Sequence, residues 1–196
     1  MKMKLYYIRH GQSEANFLKI HSGWSQVPLT EQGRLDALRA RRSIEGIRFD
    51  KVYSSDIARA IETQKIALPD ADAEQSSLLR EINVGDLAGK RVEDCYAELG
   101  EAYRINRRNH NFADYGGENY TELCARAKKF LDVMEASEYE NVAVFCHGGL
   151  INATLDVITD SLNDRNIFTC ENCSISVFEF KNNRWSLKLW NYMGEL

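Results

Sequence analysis

Val142-Ala143-Val144-Phe145-Cys146 is an uninterrupted apolar run that ends in His147-Gly148-Gly149 and passes at once into a helical pattern carrying Leu150, Ile151, Leu155 and Ile158. Such a run reads as a strand buried on both faces, which belongs in a parallel sheet covered on both sides. Leu5-Tyr6-Tyr7-Ile8 is a second apolar strand-like run, and it too leads into a histidine, in Arg9-His10-Gly11. In open parallel sheets ligands gather outside the carboxyl ends of the strands. His10 and His147 are therefore expected to share one pocket despite their separation in sequence.

Strand-like segments at about 3–8, 51–54 and 142–146 alternate with helical ones at about 31–46, 56–67, 118–137 and 148–159. This alternation predicts an α/β fold, a three-layer α/β/α sandwich with a mostly parallel central sheet. The end of the sequence changes character: residues 174–180, a Lys181-Asn182-Asn183-Arg184 turn and residues 185–192 read as an antiparallel edge hairpin. Only Pro28 and Pro69 and no Ser- or Gly-rich tract interrupt the 196 residues, so 1–196 is expected to form one domain.

A cation, an imidazole and a residue without a side chain at a strand exit suit nucleophilic attack on phosphorus. Imidazole, with an ordinary pKa of about 6.5, is substantially uncharged at neutral pH. Arg9 would pair with phosphoryl oxygens, and Gly11 would let the backbone approach an anion. Ser54-Ser55-Asp56 supplies cap residues after the second strand, which puts Arg59 in the first turns of the next helix, where anions are already favoured. Glu81, in Leu79-Arg80-Glu81-Ile82-Asn83-Val84-Gly85-Asp86-Leu87-Ala88-Gly89, is the carboxyl group expected to serve as acid; Glu14, Glu31 and Glu118 compete for that role.

These residues resemble the histidine phosphatase superfamily, the phosphoglycerate-mutase-like proteins. The resemblance runs through Arg9-His10-Gly11-Gln12-Ser13-Glu14-Ala15-Asn16, Ser22-Gly23-Trp24-Ser25, Pro28-Leu29-Thr30-Glu31-Gln32-Gly33, Ser54-Ser55-Asp56-Ile57-Ala58-Arg59-Ala60, Gly117-Glu118 and His147-Gly148, and so covers residues 3–180. It implies that His10 becomes phosphohistidine, that Arg9, Arg59 and His147 hold the phosphoryl group, and that Glu81 protonates the leaving oxygen and then activates water. It further implies that Asn16, Ser22, Gly23 and Gly148 line the phosphate or substrate pocket. Gln26 and Asn119 stand where the family often has Asp and Ser, which puts substrate contacts in question more than chemistry.

Phosphoryl transfer asks for an in-line nucleophile and positive groups matched to the equatorial oxygens. Arg9 and Arg59 supply fixed charge, so no metal and no cofactor are expected. An alkoxide leaves poorly unless protonated, which is the work assigned to Glu81. His21 and His110 read as surface or substrate-loop residues. Cys170-Glu171-Asn172-Cys173 lacks a second ligand pair and reads as two cysteines beside a strand rather than a zinc site.

A net charge of −4 gives no steering field for nucleic acid. No apolar run of roughly 18 residues occurs, and Met1-Lys2-Met3-Lys4 leads into a strand, so neither a membrane span nor export is expected. The odd count of five cysteines suits a reducing compartment, and the expectation is a cytoplasmic enzyme of unread oligomeric state. Arg80, Lys90, Arg91, Arg104, Arg107 and Arg108 form a local basic patch, of which Arg104, Arg107 and Arg108 are candidate specificity residues, and residues 90–117 read as a lid over the site. The sequence favours a phosphomonoester hydrolase acting on a small phosphorylated metabolite, because mutases of the resembled family are usually longer. The alternative is a cofactor-dependent phosphoglycerate mutase, to which Arg107-Arg108 points. A weakly active regulatory or binding protein on the same fold is a third reading, separable by activity on an aryl phosphate.

Overall fold

A computed structural model describes residues 2–161 and 168–194; Met1, 162–167 and the last two residues lie outside the described residues. Six strands, β1 (Lys2–Arg9), β2 (Lys51–Ser55), β3 (Glu74–Ser76), β4 (Asn141–Cys146), β5 (Ile175–Lys181) and β6 (Arg184–Tyr192), form one sheet in the order β3-β2-β4-β1-β5-β6. β3, β2, β4 and β1 run parallel, whereas β5 is antiparallel to both β1 and β6. The α/β class, the mostly parallel sheet and the antiparallel edge pair agree with the sequence.

The helices are α1 (Glu14–Leu18), α2 (Glu31–Ser43), α3 (Ala58–Ala67), α4 (Val92–Arg108), α5 (Tyr120–Glu135) and α6 (Gly148–Thr159). Alternation along the two central strands sorts their side chains into two cores. Met3, Leu5, Tyr7, Val142, Val144 and Cys146 join the α5 and α6 side. Tyr6, Ile8, Ala143 and Phe145 meet Ala37 and Ala40 of α2 and Ala67 of α3. Both faces of the sheet are thereby covered, which is why residues 5–8 of β1 and 142–146 of β4 are apolar without a polar alternate.

Local chemistry sets the element ends. The Thr30 hydroxyl accepts the Gly33 N–H at the start of α2, and Asn119 forms a reciprocal cap with Glu122 at the start of α5; each such cap is worth about 1 kcal/mol. Asn182 and Asn183 both take left-handed backbone (φ 54° and 56°), the two-residue turn whose twist matches the flanking strands of the β5–β6 hairpin.

Three elements depart from the sequence expectation. α1 and the short edge strand β3 fall in segments for which the sequence predicts no element. Residues 92–108, inside the expected lid, are helical, and Gly100 (φ 62°, ψ −143°) breaks α4 midway. Among the described residues no helix is long and apolar enough to cross a membrane.

Candidate active site

Parallel register places the two histidines together. Arg9 lies opposite Cys146, and the His10 N–H donates to the Cys146 carbonyl (3.0 Å), so both chains leave the sheet at the same level. The imidazole centroids are 5.1 Å apart. His10 Nδ1 lies 2.7 Å from the Gly11 carbonyl oxygen, which only accepts, so the ring proton sits on Nδ1 and Nε2 carries the free lone pair. Burial, followed by the charges of Arg59 and Arg9, holds His10 well below the ordinary imidazole pKa. The ring is neutral at physiological pH and Nε2 faces the Arg59 guanidinium.

Arg59, in the first turn of α3, is the largest fully buried side chain. Its Nε donates to His10 Nε2 (3.1 Å), while Nη1 and Nη2 donate to the carbonyls of Ser25 (3.2 Å) and Gly23 (2.9 Å). Burial pushes its pKa down to about 10, so it stays charged at neutral pH. Arg9 Nη1 donates to the Cys170 carbonyl. Arg9 Nε and His147 Nδ1 are buried without a hydrogen-bond partner. An unsatisfied buried polar group costs about 1–3 kcal/mol, and here two lie at one strand edge beside the N-terminus of α6. A phosphoryl group would satisfy both. His147 Nε2 is 2.9 Å from Ser55 Oγ, and burial, then Arg59, His10 and Arg9, keeps its pKa well below the ordinary value.

Glu81 reaches the same place from a loop. Its Oε1 accepts the Ile82 N–H (2.9 Å) and its Oε2 the Gly149 N–H in the first turn of α6 (3.2 Å). A Cβ on Gly149 would fall well inside 3.0 Å of Glu81 Oε1, so the second glycine of His147-Gly148-Gly149 makes room for a carboxylate. The rival acids are elsewhere: Glu14 and Glu31 are exposed in the first turns of α1 and α2, and Glu118 is bound to Arg126.

A cleft of about 980 Å³ reaches Arg9 and Glu81 of this set, while His10, Arg59 and His147 are buried behind its lining. Arg9, Asn16, Ser22, Gly23, Glu81 and Gly149 form its wall at the sheet edge, and Arg107 and Arg108 line it from α4. Arg104 does not: it is exposed, 3.8 Å from Glu101 and stacked over Tyr96. Arg80 is likewise committed elsewhere, paired with Asp56 and lying over the Trp24 ring. Gly11 corrects the sequence argument. Its N–H donates to Thr63 Oγ1 (3.0 Å), and an added Cβ would collide with the Gly33 carbonyl, so its bareness serves the approach of α2. Gly148, expected to line the pocket, is not part of the cleft lining; a Cβ there would lie 3.3 Å from Arg9 Nε. His21 and His110 both line the cleft, as substrate-loop residues would, and His21 Nε2 is 2.5 Å from the Tyr103 hydroxyl.

Several contributors went unread in the sequence. Cys170 and Cys173 are buried free thiols in a segment that braces Arg9 and His10: the Cys170 carbonyl accepts from Arg9 Nη1, the Cys173 N–H donates to the Arg9 carbonyl (3.1 Å), and Asn172 Nδ2 donates to the His10 carbonyl (2.9 Å). Lys19 adds charge to the cleft, beside Arg91 of the basic patch read from the sequence. Arg126, Glu118 and Trp24 grip the Glu81 loop. Among the described residues no group of three or more His, Cys, Asp or Glu side chains is placed to hold a metal ion.

The profile of the histidine phosphatase superfamily (branch 1) matches residues 5–193. The chain belongs to that superfamily. A 2,3-bisphosphoglycerate-dependent phosphoglycerate mutase of Bartonella bacilliformis is 30% identical over 172 residues, 81% of this chain and 82% of that protein. A mycobacterial glucosyl-3-phosphoglycerate phosphatase solved with VO3 superposes with TM-score 0.88 at 26% identity, covering 96% of this chain and 98% of the other. The alpha-ribazole phosphatase of Shigella flexneri shares the fold alone (TM-score 0.86, 23% identity, 98% of each chain).

Membership in the superfamily makes the two noted departures interpretable. Gln26 Oε1 accepts the Ala58 N–H at the start of α3 (2.7 Å), and Asn119 caps α5. In this member of the superfamily both side chains cap the starts of helices, and neither lines the cleft.

Proposed function

We propose that the chain is a phosphomonoester hydrolase that works through a phosphohistidine at His10 on a small phosphorylated metabolite. The observation carrying this reading is the neutral His10 with its lone pair on Nε2, set among Arg9, Arg59 and His147, with the Glu81 carboxylate held on the same wall. In the first step Nε2 attacks phosphorus in line, the N–P bond forms and the ester P–O bond breaks. Glu81 delivers its proton to the departing oxygen. The Arg59 donor that rests on Nε2 passes to a phosphoryl oxygen, where Arg9 Nε and His147 Nδ1 find their missing partner. In the second step Glu81 takes a proton from water, the oxygen bonds phosphorus, the N–P bond breaks and inorganic phosphate leaves.

Glu81, the group that would activate water, is half-buried in the wall of the open cleft, and that supports hydrolysis over retention of the phosphoryl group. Chain length, used above as a sign of a phosphatase, does not discriminate: the Bartonella mutase and this chain cover one another almost equally. The second reading, a phosphoglycerate mutase, has two supports, the curated relatives so named and the Arg107 and Arg108 side chains lining the cleft. With all five reacting groups in place, a merely regulatory protein is the weakest reading. We read the chain as one catalytic domain with the 90–117 segment as its lid, and its buried thiols as suited to the cytoplasm.

The test has two arms. Brief incubation with labelled phosphomonoester followed by denaturation should leave acid-labile, alkali-stable label that His10→Ala loses. 3-Phosphoglycerate with catalytic 2,3-bisphosphoglycerate should yield little 2-phosphoglycerate while at least one phosphomonoester releases phosphate. Efficient isomerisation that Arg108→Ala selectively removes would promote the mutase instead.

A further inference from the structure

We propose that Arg126 and Glu118 are positioning residues for the general acid, holding the loop beneath Glu81 so that its carboxylate meets the leaving oxygen. The inference rests on Glu81 being that acid.

Residues 80–84 belong to no helix or strand, so their peptide groups must find partners elsewhere. Arg126 supplies them from the middle of α5. Its Nη1 donates to the carbonyls of Leu78 (3.0 Å) and Arg80 (2.8 Å), and its Nη2 to that of Glu81 (3.0 Å). The remaining donors of the fork lie on Glu118, Nε on Oε1 and Nη2 on Oε2, both at 2.8 Å. Glu118 closes the clamp: its Oε2 accepts the Asn83 N–H (2.8 Å) and its own N–H donates to the Asn83 carbonyl (2.9 Å). The Trp24 indole adds a second donor to the Glu81 carbonyl (2.7 Å).

Both side chains of the ion pair are 15% exposed, so this is no water-screened surface bridge. Neither residue lines the cleft, and the hydrogen bonds of both side chains run to the loop and to each other. Only a planar guanidinium serves three carbonyls and a carboxylate at once; a lysine offers one nitrogen. The backbone of Glu81 is thus tied to a sixteen-residue helix packed on the sheet, while its carboxylate is tied to α6. Misplacing a reacting group by about 1 Å costs on the order of 100-fold in rate, which makes the clamp a determinant of acid catalysis as well as of loop order.

Leaving-group dependence separates the two. An alkyl phosphate needs its oxygen protonated, whereas 4-nitrophenyl phosphate has a stable leaving anion and needs less help. Glu81→Gln should slow the alkyl ester about 100-fold more than the aryl ester. Arg126→Lys and Glu118→Gln should each slow the alkyl ester roughly 10-fold or more and the aryl ester less than about 3-fold. Combined with Glu81→Gln they should add nothing further, because the group they position is gone. Equal slowing of both esters, or losses that multiply with Glu81→Gln, would overturn the proposal. If Glu81→Gln itself slows both esters equally, the acid has been misassigned and the proposal falls with it, a distinguishable failure. Thermal melts accompany the kinetics, and if Arg126→Lys does not fold, Glu118→Gln decides the matter.

Discussion

Gly149→Ala should leave the protein folded and remove most of its acid catalysis. The new Cβ would lie well inside 3.0 Å of Glu81 Oε1 and 3.1 Å from Glu81 Cδ. Its obstacle is the far end of a side chain, not backbone, so the carboxylate moves aside and the helix stays. Position 149 lies in the first turn of α6, where alanine is favoured over glycine by up to about 1 kcal/mol. The melting temperature should therefore hold or rise slightly. To clear the methyl, the carboxylate must retreat by about 1 Å, and a shift of that size in a reacting group costs about 100-fold. It also stretches the 3.2 Å bond from the Gly149 N–H that orients Oε2. The assay is kcat on an alkyl phosphate beside 4-nitrophenyl phosphate, with a thermal melt of each variant. A fall of about 100-fold on the alkyl ester, much less on the aryl ester, with an unchanged melt is the expected result. Full alkyl activity in Gly149→Ala would refute the placement of Glu81 against α6 as the working geometry.

Gly11→Ala meets backbone where Gly149→Ala meets a side chain, with Gly33 C at 2.9 Å from the added Cβ, so it should destabilise by about 1–3 kcal/mol and lower Tm by roughly 2–12 °C; an unchanged Tm would contradict the tight α2 contact. Because burial and the two guanidiniums hold His10 well below 6.5, the free enzyme should show no loss of kcat/KM from nucleophile protonation as pH falls through 6.5, and NMR titration of His10 giving an ordinary pKa would contradict this. His10, His147 and His21, the last lowered to about 4 chiefly by burial, bind protons less readily folded than unfolded. Stability should then decrease as pH drops below about 6.5 and level off above it, which denaturant melts at pH 5 and pH 7 would check. Turnover should persist in excess chelator, since Arg9 and Arg59 supply the positive charge; activity lost on chelation and restored by magnesium or zinc would contradict the mechanism.

The parts of the fold legible in the sequence were those with one dominant period. β1 and β4 are apolar on both faces, α6 begins at a strand-to-glycine junction, and β5–β6 alternates around an Asn-Asn turn. α4 hid because its apolar positions, Val92, Cys95, Tyr96 and Tyr103, are diluted by charge and their phase is interrupted at Gly100. Charge density also misled the reading of Arg104, since basic residues on one helix need not share a face. Local spacing is silent on what Gly11 touches: the same glycine that would suit an anion suits the carbonyl of Gly33.

Long-range partners explain the rest. His10 was legible because its function is written in neighbours along the chain, whereas Arg126 acts on carbonyls at 78, 80 and 81 and looks in sequence like one more charge on an amphipathic helix. Its signal lay in pairing with Glu118, eight residues earlier and just before the cap of α5. Glu118 entered the sequence reading within the Gly117-Glu118 signature and as a rival acid, and the ion pair is what removes it from the latter role: both its oxygens are spent on Arg126 and one also on the Asn83 amide. The choice of Glu81 over Glu118 therefore follows from partner and place: Glu118 is tied to a guanidinium away from the cleft, whereas Glu81 accepts backbone N–H groups and lines it. One carboxylate is consumed in holding a loop, and the loop it holds presents the other.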